Sequence, residues 1–145
     1  RETDRYRARL GCMLEQTDIV KVSDEDLNWI EPAPISMKEK VQALLKAGPA
    51  VVILTRGGDG AVGILGDGTE VRVPAATVEL SDTVGAGDTF NAGVLARLSE
   101  LGQLRKPALR SLSPEMLKEA MSFAAKAAAV TVSRAGADPP WAGEL

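Results

Sequence analysis

Near the middle of the chain stands Ala50-Val51-Val52-Ile53-Leu54-Thr55, a nearly continuous apolar run. Such a run is typical of a β-strand that is covered on both faces. Residues 18–22 predict a second short strand, and Ser36 followed by Glu39 predicts a capped helix between the two strands. Gly48-Pro49 is expected to end that helix. Strand, helix and strand in succession predict a parallel α/β unit with a right-handed crossover.

The elements on either side of this unit extend the α/β pattern. Residues 61–65 and 69–73 predict two strands joined by Gly66-Asp67-Gly68 as a hairpin. After a loop over residues 74–80, helical spacing runs from residue 90 to residue 101, and a long alanine-rich helix is predicted to begin near Ser113.

The amino-terminal segment and the carboxy-terminal tail each contain apolar side chains. A helix is predicted at the start of the chain, since four apolar residues share one helix face: Tyr6, Leu10, Met13 and Leu14. Cys12 lies beside that face and is expected to be a core thiol. Trp141 is expected to pack the irregular tail against the rest of the protein.

The composition narrows the classes of function. The chain has 145 residues, 45% of them hydrophobic and 26% charged, with a net charge of −3, which predicts one globular domain without an electrostatic footprint for nucleic acid or membrane. No apolar run reaches the roughly 18–20 residues that span a bilayer, and the charged first residues lack a signal-peptide core, so we expect a cytoplasmic protein. The single cysteine excludes an internal disulfide, and the absence of histidine excludes a Ser-His triad or a His-ligated zinc. Any chemistry must run on carboxylates, hydroxyls, lysines, arginines and backbone amides.

Two glycine-rich stretches could bind an anion. Gly58-Asp59-Gly60-Ala61-Val62-Gly63 matches the dinucleotide-binding pattern, but a strand rather than a helix is predicted to follow, so the match lacks its structural context. Gly85-Ala86-Gly87-Asp88 does stand at a helix start, where free amides and the helix dipole favour a phosphate. Asp88 would then place a base beside the bound anion. The alternative is a glycine-rich loop in which Asp88 only caps the helix.

The residues around this second stretch resemble a known family. Asp82-Thr83-Val84-Gly85-Ala86-Gly87-Asp88-Thr89-Phe90-Asn91-Ala92-Gly93 is similar to the carboxy-terminal signature of the ribokinase-like (PfkB) carbohydrate kinases. Residues 21–27, 54–61 and 123–137 resemble further family segments in the same order. Residues 21–27 and 82–93 are most similar to the corresponding segments of bacterial fructokinases. The resemblance implies a ribokinase-like three-layer α/β/α sandwich with a mostly parallel central sheet.

The resemblance also assigns roles to single residues. Asp88 would accept the proton of the sugar hydroxyl, and the anion hole for the transferring phosphoryl group would be formed by Gly85, Ala86, Gly87 and the amide of Asp88. ATP would be bound by six residues: Thr55, Gly57, Gly60, Thr83, Ala125 and Ala128. An asparagine is common in the family where Ala125 stands, so this chain departs from the pattern near the adenine.

Two cation sites are implied in the same way. Asp26 matches the last acid of a motif that orients Mg²⁺, although Ser23 and Asp26 replace the asparagine and glutamate of the family. The alternative is a capping box of Ser23 and Asp26 at the start of a predicted helix that Ser23 caps, with no metal role. A monovalent cation such as K⁺ would lie near a second group, mostly on backbone oxygens: Asp82, Val84, Arg134 and Gly136.

The resemblance covers essentially the whole chain and implies ATP-dependent phosphorylation of a sugar, with fructose as the first candidate. Residues 1–145 would be the carboxy-terminal nucleotide-binding and catalytic portion, with the amino-terminal sugar-binding and lid region absent from this sequence, so these residues alone are expected to be inactive. A nucleoside or 2-keto-3-deoxygluconate kinase and a non-catalytic nucleotide-binding fragment remain alternatives. The expected partners are a sugar and ATP, with no nucleic acid or membrane, and the full-length protein could form a homodimer.

Overall fold

The sheet is built from four consecutive strands. The computed structural model describes residues 2–78 and 81–145, so Arg1 of the predicted first helix and Glu79 and Leu80 of the predicted loop lie outside the described residues. The strands, in the spatial order β1-β2-β3-β4, are β1 (Ile19–Ser23), β2 (Val51–Thr55), β3 (Ala61–Leu65) and β4 (Glu70–Val73). All four strands, including the hairpin β3–β4, lie where the sequence predicts them.

Six α-helices accompany the sheet in the part of the chain that the structure describes. They are α1 (Glu2–Leu14), α2 (Asp24–Ile30), α3 (Met37–Ala47), α4 (Ala86–Glu100), α5 (Lys106–Arg110) and α6 (Pro114–Val132), with 3₁₀ turns at Gly57–Asp59 and Ala142–Glu144. The predicted capping box is present at α3, where the Ser36 side chain accepts a hydrogen bond from the Glu39 backbone N–H and the Glu39 carboxylate accepts one from the Ser36 backbone N–H. None of the described helices is both long and apolar enough to cross a membrane.

Two hydrophobic cores lie on the two faces of the sheet. On one face α2 and α3 pack through Leu27, Val41 and Leu44. On the other face α4, α5 and α6 cover the sheet, and residues such as Leu98 and Met121 are fully buried. The alternation of side chains along β2 explains this arrangement, because successive residues of a strand point to opposite faces. The α/β class and the three-layer arrangement are therefore confirmed.

The pairing of the strands corrects one expectation. β1 and β2 are parallel, but β2–β3 and β3–β4 are antiparallel, so the sheet of the described residues is mixed rather than mostly parallel. The connections give the reason. A crossover through α2 and α3 joins the parallel pair, whereas the short turns at residues 56–60 and 66–69 leave room only for antiparallel neighbours.

The first helix and the tail also differ from expectation. No side chain of α1 is buried, and Tyr6 and Met13 are 56% and 63% exposed. Cys12 is likewise exposed and is not a core thiol. Trp141 is 82% exposed and does not pack the tail down. Helical spacing of apolar residues predicted the helix correctly, but spacing alone does not determine which surface covers its apolar face.

Candidate active site

A cavity of about 550 Å³ lies beyond the carboxyl end of β2, between the β-hairpin and the helices α4 and α6. The residues predicted to bind ATP all line it: Thr55, Gly57, Gly60, Thr83, Ala125 and Ala128. Ala86 and Gly87 of the predicted anion hole line it as well. The structure thus brings together, in one cavity, residues that are separated by more than seventy positions in the sequence.

One end of the cavity is apolar. α6 contributes small side chains, among them Ala125, Ala128 and Ala129, and Val132 lies at the end of the same wall. Residues 74–78 form a further wall. Sequence reasoning treated this segment only as a loop. Its composition, Pro-Ala-Ala-Thr-Val without a charge, is unusual for a solvated connection and could have indicated a binding surface.

The other end of the cavity meets the first turn of α4. Gly85 precedes the helix with φ +79°, and a Cβ at this position would lie 2.9 Å from the Ala137 Cβ, so backbone conformation and space both favour glycine. The Ala86 N–H donates to the Thr83 carbonyl oxygen at 3.3 Å. Within the described residues the N–H groups of Gly87 and Asp88 have no such acceptor. These two amides are the donors available to an anion.

Asp88 follows directly, in the first turn of α4, with its side chain exposed. It does not line the cavity but lies next to Gly87, which does. A carboxylate at this position can reach a group that approaches the end of the cavity from solvent. The arrangement suits a base beside a bound phosphate, because the two free amides and the carboxylate belong to the same helical turn.

Asp82 joins the loop before α4 to the loop after α6. Its carboxylate accepts hydrogen bonds from the Val84 N–H at 2.9 Å and from the Gly136 N–H at 3.1 Å. Three of the residues predicted near a monovalent cation, Asp82, Val84 and Gly136, therefore lie together. The fourth, Arg134, forms side-chain ion pairs with Asp138 and Glu144.

The ion pair between Arg134 and Glu144 shifts the pKa of each of these two groups. The hydrogen bond to Glu144, together with smaller effects of Asp138, raises the pKa of the Arg134 guanidinium above its usual value. The Trp141 backbone N–H and then Arg134 lower the pKa of the Glu144 carboxyl. The contacts therefore hold the tail against the loop after α6 as a charged pair.

Asp26 lies in the first turn of α2, close to the same edge of the sheet. Ser23, which precedes α2, pairs with Thr55 across the parallel strands, and its hydroxyl accepts a hydrogen bond from the Asp26 backbone N–H at 3.0 Å. Ser23 thus caps the helix as predicted. The Asp26 side chain does not complete a capping box, because no hydrogen bond to it from the Ser23 backbone is formed. No group of three or more acidic or cysteine side chains suited to a metal occurs in the described ranges.

Comparisons with known proteins agree on the family of this chain. Residues 3–142 match the family described as pfkB family carbohydrate kinase. The chain is 40% identical over 117 residues to a fructokinase of Rhizobium leguminosarum bv. trifolii, an alignment that covers 78% of this chain and 34% of that protein. The chain spans about a third of the length of the curated relatives it matches.

Solved structures are similar over nearly the whole chain. An aminoimidazole riboside kinase from Salmonella enterica, complexed with aminoimidazole riboside and an ATP analog, has a TM-score of 0.77 at 30% identity and aligns over 93% of this chain and 42% of its own. A fructokinase from Vibrio cholerae O395 in a form with bound fructose, ADP and calcium ion has a TM-score of 0.76 at 27% identity, over 90% of this chain and 40% of its own.

Proposed function

The chain belongs to the pfkB family of carbohydrate kinases, and from this membership we propose that the full-length protein transfers the terminal phosphoryl group of ATP to fructose. The likeness to the solved kinases also confirms the ribokinase-like fold. The observation that carries the proposal is the cavity, because it joins an apolar wall to Gly87, whose free amide is followed by that of Asp88. Residues 1–145 are proposed to supply the nucleotide-binding and catalytic portion.

The two ends of the cavity suit the two ends of ATP. The alanine wall of α6 and the segment 74–78 offer an uncharged surface for the adenine, and Thr55 and Gly57 line the same cavity. Phosphates placed towards Gly87 meet free N–H groups and the positive end of the α4 dipole. This orientation brings the terminal phosphate nearest to Asp88.

Phosphoryl transfer to the sugar then needs a base for the hydroxyl proton and donors that stabilise the charge on the phosphoryl oxygens. Asp88 accepts the proton of the sugar hydroxyl, whose oxygen attacks the terminal phosphorus while the bond to the bridging oxygen breaks and ADP leaves. The amides of Gly87 and Asp88 stabilise the charge on the transferring group, assisted by the backbone of Gly85 and Ala86. A positioned base contributes about 10²–10⁴ in rate, and one anion-hole donor contributes about 10²–10³.

Cations are part of the proposal. ATP takes part in the reaction as a complex with a divalent cation, proposed here to be Mg²⁺. The cation neutralises phosphate charge when bound. Asp26 fits this role because its exposed carboxylate lies at the carboxyl edge of the parallel strands, and Mg²⁺ often takes only one or two carboxylates and keeps several waters. K⁺ is proposed at the loops that Asp82 joins, where backbone oxygens of Val84, Arg134 and Gly136 would serve it.

One of the comparisons supports a second class of acceptor. The likeness to the riboside kinase of Salmonella enterica is as strong as that to the fructokinase of Vibrio cholerae. A riboside is therefore the alternative acceptor, with the same roles for Asp88 and the cavity. The proposal places the reaction in the cytoplasm, where ATP is abundant, and includes no nucleic acid or membrane partner.

The test is a panel of acceptors on the full-length protein with Mg-ATP. ADP release is measured with fructose, glucose, ribose, a purine riboside and 2-keto-3-deoxygluconate. We expect the highest kcat/KM with fructose. A higher kcat/KM with a riboside would replace fructose by the alternative acceptor. If the full-length protein binds ATP but transfers no phosphoryl group to any acceptor, the result would support the alternative of a non-catalytic nucleotide-binding protein.

A further inference from the structure

Lys21 is a positively charged side chain on a strand that otherwise carries apolar residues. Along β1, Val20 and Val22 pack into the core formed with α2 and α3, and Ile19 packs into the core on the opposite face. Because side chains alternate along a strand, Lys21 shares the face of Ile19, which is the face covered by α4 and α6. The strand thus directs this lysine towards the start of α4.

The Lys21 ammonium reaches the anion hole. A Cβ on Gly87 would lie 3.1 Å from the Lys21 Nζ, which is the one heavy atom within 4 Å of that position among the described residues apart from the chain neighbours Ala86 and Asp88 and the nearby helix backbone. Gly87 lines the cavity, and its backbone N–H has no acceptor among the described residues. The absence of a side chain at Gly87 therefore leaves the space in which the ammonium lies.

Lys21 has no acidic partner in the parts of the chain that the structure describes. No hydrogen bond or ion pair joins Lys21 to any described side chain, although it is partly buried. Lys106, by comparison, pairs with Asp18 at 2.9 Å, just before the same strand. The acids of the turn after β1 belong to α2, whereas Lys21 points to the other face of the sheet.

The Lys21 ammonium and the start of α4 carry charge of the same sign, and the acid of that turn, Asp88, is exposed and forms no ion pair with Lys21 within the described residues. The start of an α-helix carries a partial positive charge of about half an electron charge, and an ammonium placed against it adds a full charge of the same sign. The free amides of Gly87 and Asp88 add further donors and no acceptor. A negatively charged group bound between the ammonium and these amides would resolve the repulsion and satisfy all of the donors at once.

We propose that Lys21 binds the terminal phosphoryl group of ATP opposite the Gly87 amide and stabilises its charge during transfer. The inference rests on the proposed function and adds a residue to it. Lys21 remains protonated throughout and forms no covalent bond, so the proton of the acceptor hydroxyl still goes to Asp88. The contact is strongest when charge builds on the transferring oxygens, as for other cationic groups that stabilise phosphoryl transfer.

The test compares Lys21→Met and Lys21→Arg with the matched control Lys46→Met in the full-length protein. Methionine keeps the length of the side chain and removes the charge, whereas Lys46 is an exposed lysine in the last turn of α3, on the opposite face of the sheet. For each variant, kcat and KM for ATP are measured with the best acceptor of the panel. Affinities for Mg-ATP and Mg-ADP are measured by calorimetry, and thermal unfolding reports on the fold.

For Lys21→Met we expect kcat to fall by about 10²–10³ and ATP affinity to fall by about tenfold or more, since a hydrogen bond to a charged group is lost. ADP affinity should change less than about twofold, because ADP lacks the terminal phosphate. Lys21→Arg should recover part of kcat, and Lys46→Met should match the unchanged protein. A merely structural lysine would lower ATP and ADP affinity together or change only thermal unfolding.

Unchanged kcat and an unchanged ratio of ATP to ADP affinity in Lys21→Met would overturn the proposal for Lys21 alone. An unchanged protein that binds ATP but transfers no phosphoryl group would overturn the proposed function, and the affinity ratio would still decide whether Lys21 binds the terminal phosphate. An unchanged protein that binds no ATP would overturn both.

Discussion

The hydroxyl oxygens of Thr89 and Thr131 lie 3.0 Å apart and join the first turns of α4 to the end of α6. Thr131 is fully buried, and its hydroxyl also lies 3.3 Å from the Ala127 carbonyl oxygen. Thr89 immediately follows Asp88, whereas α6 carries the alanine wall of the cavity. This pair therefore fixes the distance between the two ends of the candidate nucleotide site.

We expect Thr131→Val to lower the free energy of unfolding by about 1 kcal/mol, because a buried hydroxyl loses its hydrogen bonds. Thr89→Val should lower the free energy of unfolding less in the Thr131→Val protein than in the unchanged protein. The difference, measured by denaturant unfolding in a double-mutant cycle, should be about 1 kcal/mol. Additive effects would show that the two hydroxyls do not act as a pair.

Asp88→Asn should lower kcat in the full-length protein by about 10²–10⁴, since an amide cannot accept the hydroxyl proton. Calorimetry should show ATP affinity within about threefold of the unchanged protein. The matched control is Glu115→Gln, which removes an exposed acid from the first turn of α6 and should leave kcat unchanged. A near-normal kcat in Asp88→Asn would contradict the role of Asp88 as the base.

Gly93→Ala should destabilise the protein by about 1–3 kcal/mol, because the added Cβ would lie 2.8 Å from the Ala124 Cα, a backbone atom of α6 that cannot move aside cheaply. Gly11→Ala is the control, since nothing lies within 4 Å of its added Cβ in the helix α1. That substitution should stabilise the protein by about 0.5–1 kcal/mol. Equal effects of the two changes on chemical unfolding would rule out a close contact between α4 and α6 at Gly93.

Ala128→Leu should raise the Kd for ATP by at least about tenfold, because the longer side chain fills part of the cavity of about 550 Å³. Thermal unfolding should change little, since the added carbons enter open space. Ala92→Leu places the same side chain on an exposed position of α4 and should leave the Kd unchanged. Equal Kd values for both variants in calorimetric titrations would place the nucleotide elsewhere.

The capping box of α3 predicts a dependence of stability on pH. The Ser36 hydroxyl and then the Ser36 backbone N–H, which donate to the Glu39 carboxylate at 2.7 Å and 2.8 Å, lower the pKa of Glu39 below its ordinary value of 4.5. A carboxyl whose pKa is lower in the folded state contributes stability above the unfolded value and loses it as pH falls through the folded value. The loss therefore begins near pH 4.5 and continues below it.

Glu39→Gln keeps an oxygen acceptor for the box and removes the titration. Urea unfolding measured between about pH 6 and about pH 3 should therefore show a shallower loss of stability for Glu39→Gln than for the unchanged protein. The two proteins should differ little in slope above pH 5. Parallel curves throughout this range would mean that Glu39 titrates equally in the folded and unfolded states.

The order of the strands and of the longer helices could be predicted from local patterns because each pattern depends on neighbouring residues, whereas the short helix α5 was not predicted. The apolar run at residues 50–55, the turn at Gly66-Asp67-Gly68 and the caps at Ser23 and Ser36 each lie where predicted. The residues proposed to bind ATP, which line one cavity, follow from the family resemblance, since spacing alone does not bring Thr55 and Ala128 together.

The remaining differences concern contacts between elements far apart in the sequence. The wall formed by residues 74–78 depends on where the strand β4 ends relative to α6. The position of Lys21 at Gly87 depends on which face of the sheet the lysine occupies. The exposure of Cys12 depends on what covers α1 rather than on its helical spacing.

The mixed sheet has a consequence for the order of folding. β2, β3 and β4 follow one another through short turns, and Thr55 pairs with Ala61 only a few residues on. The parallel pair joins Ile19 to Val51, residues about thirty positions apart, and closing that longer loop costs more chain entropy. We expect the three-stranded meander to form early and β1 to dock late. The edge that carries Ser23 and Thr55, with Lys21 directed to the start of α4, is then completed in the final step of folding.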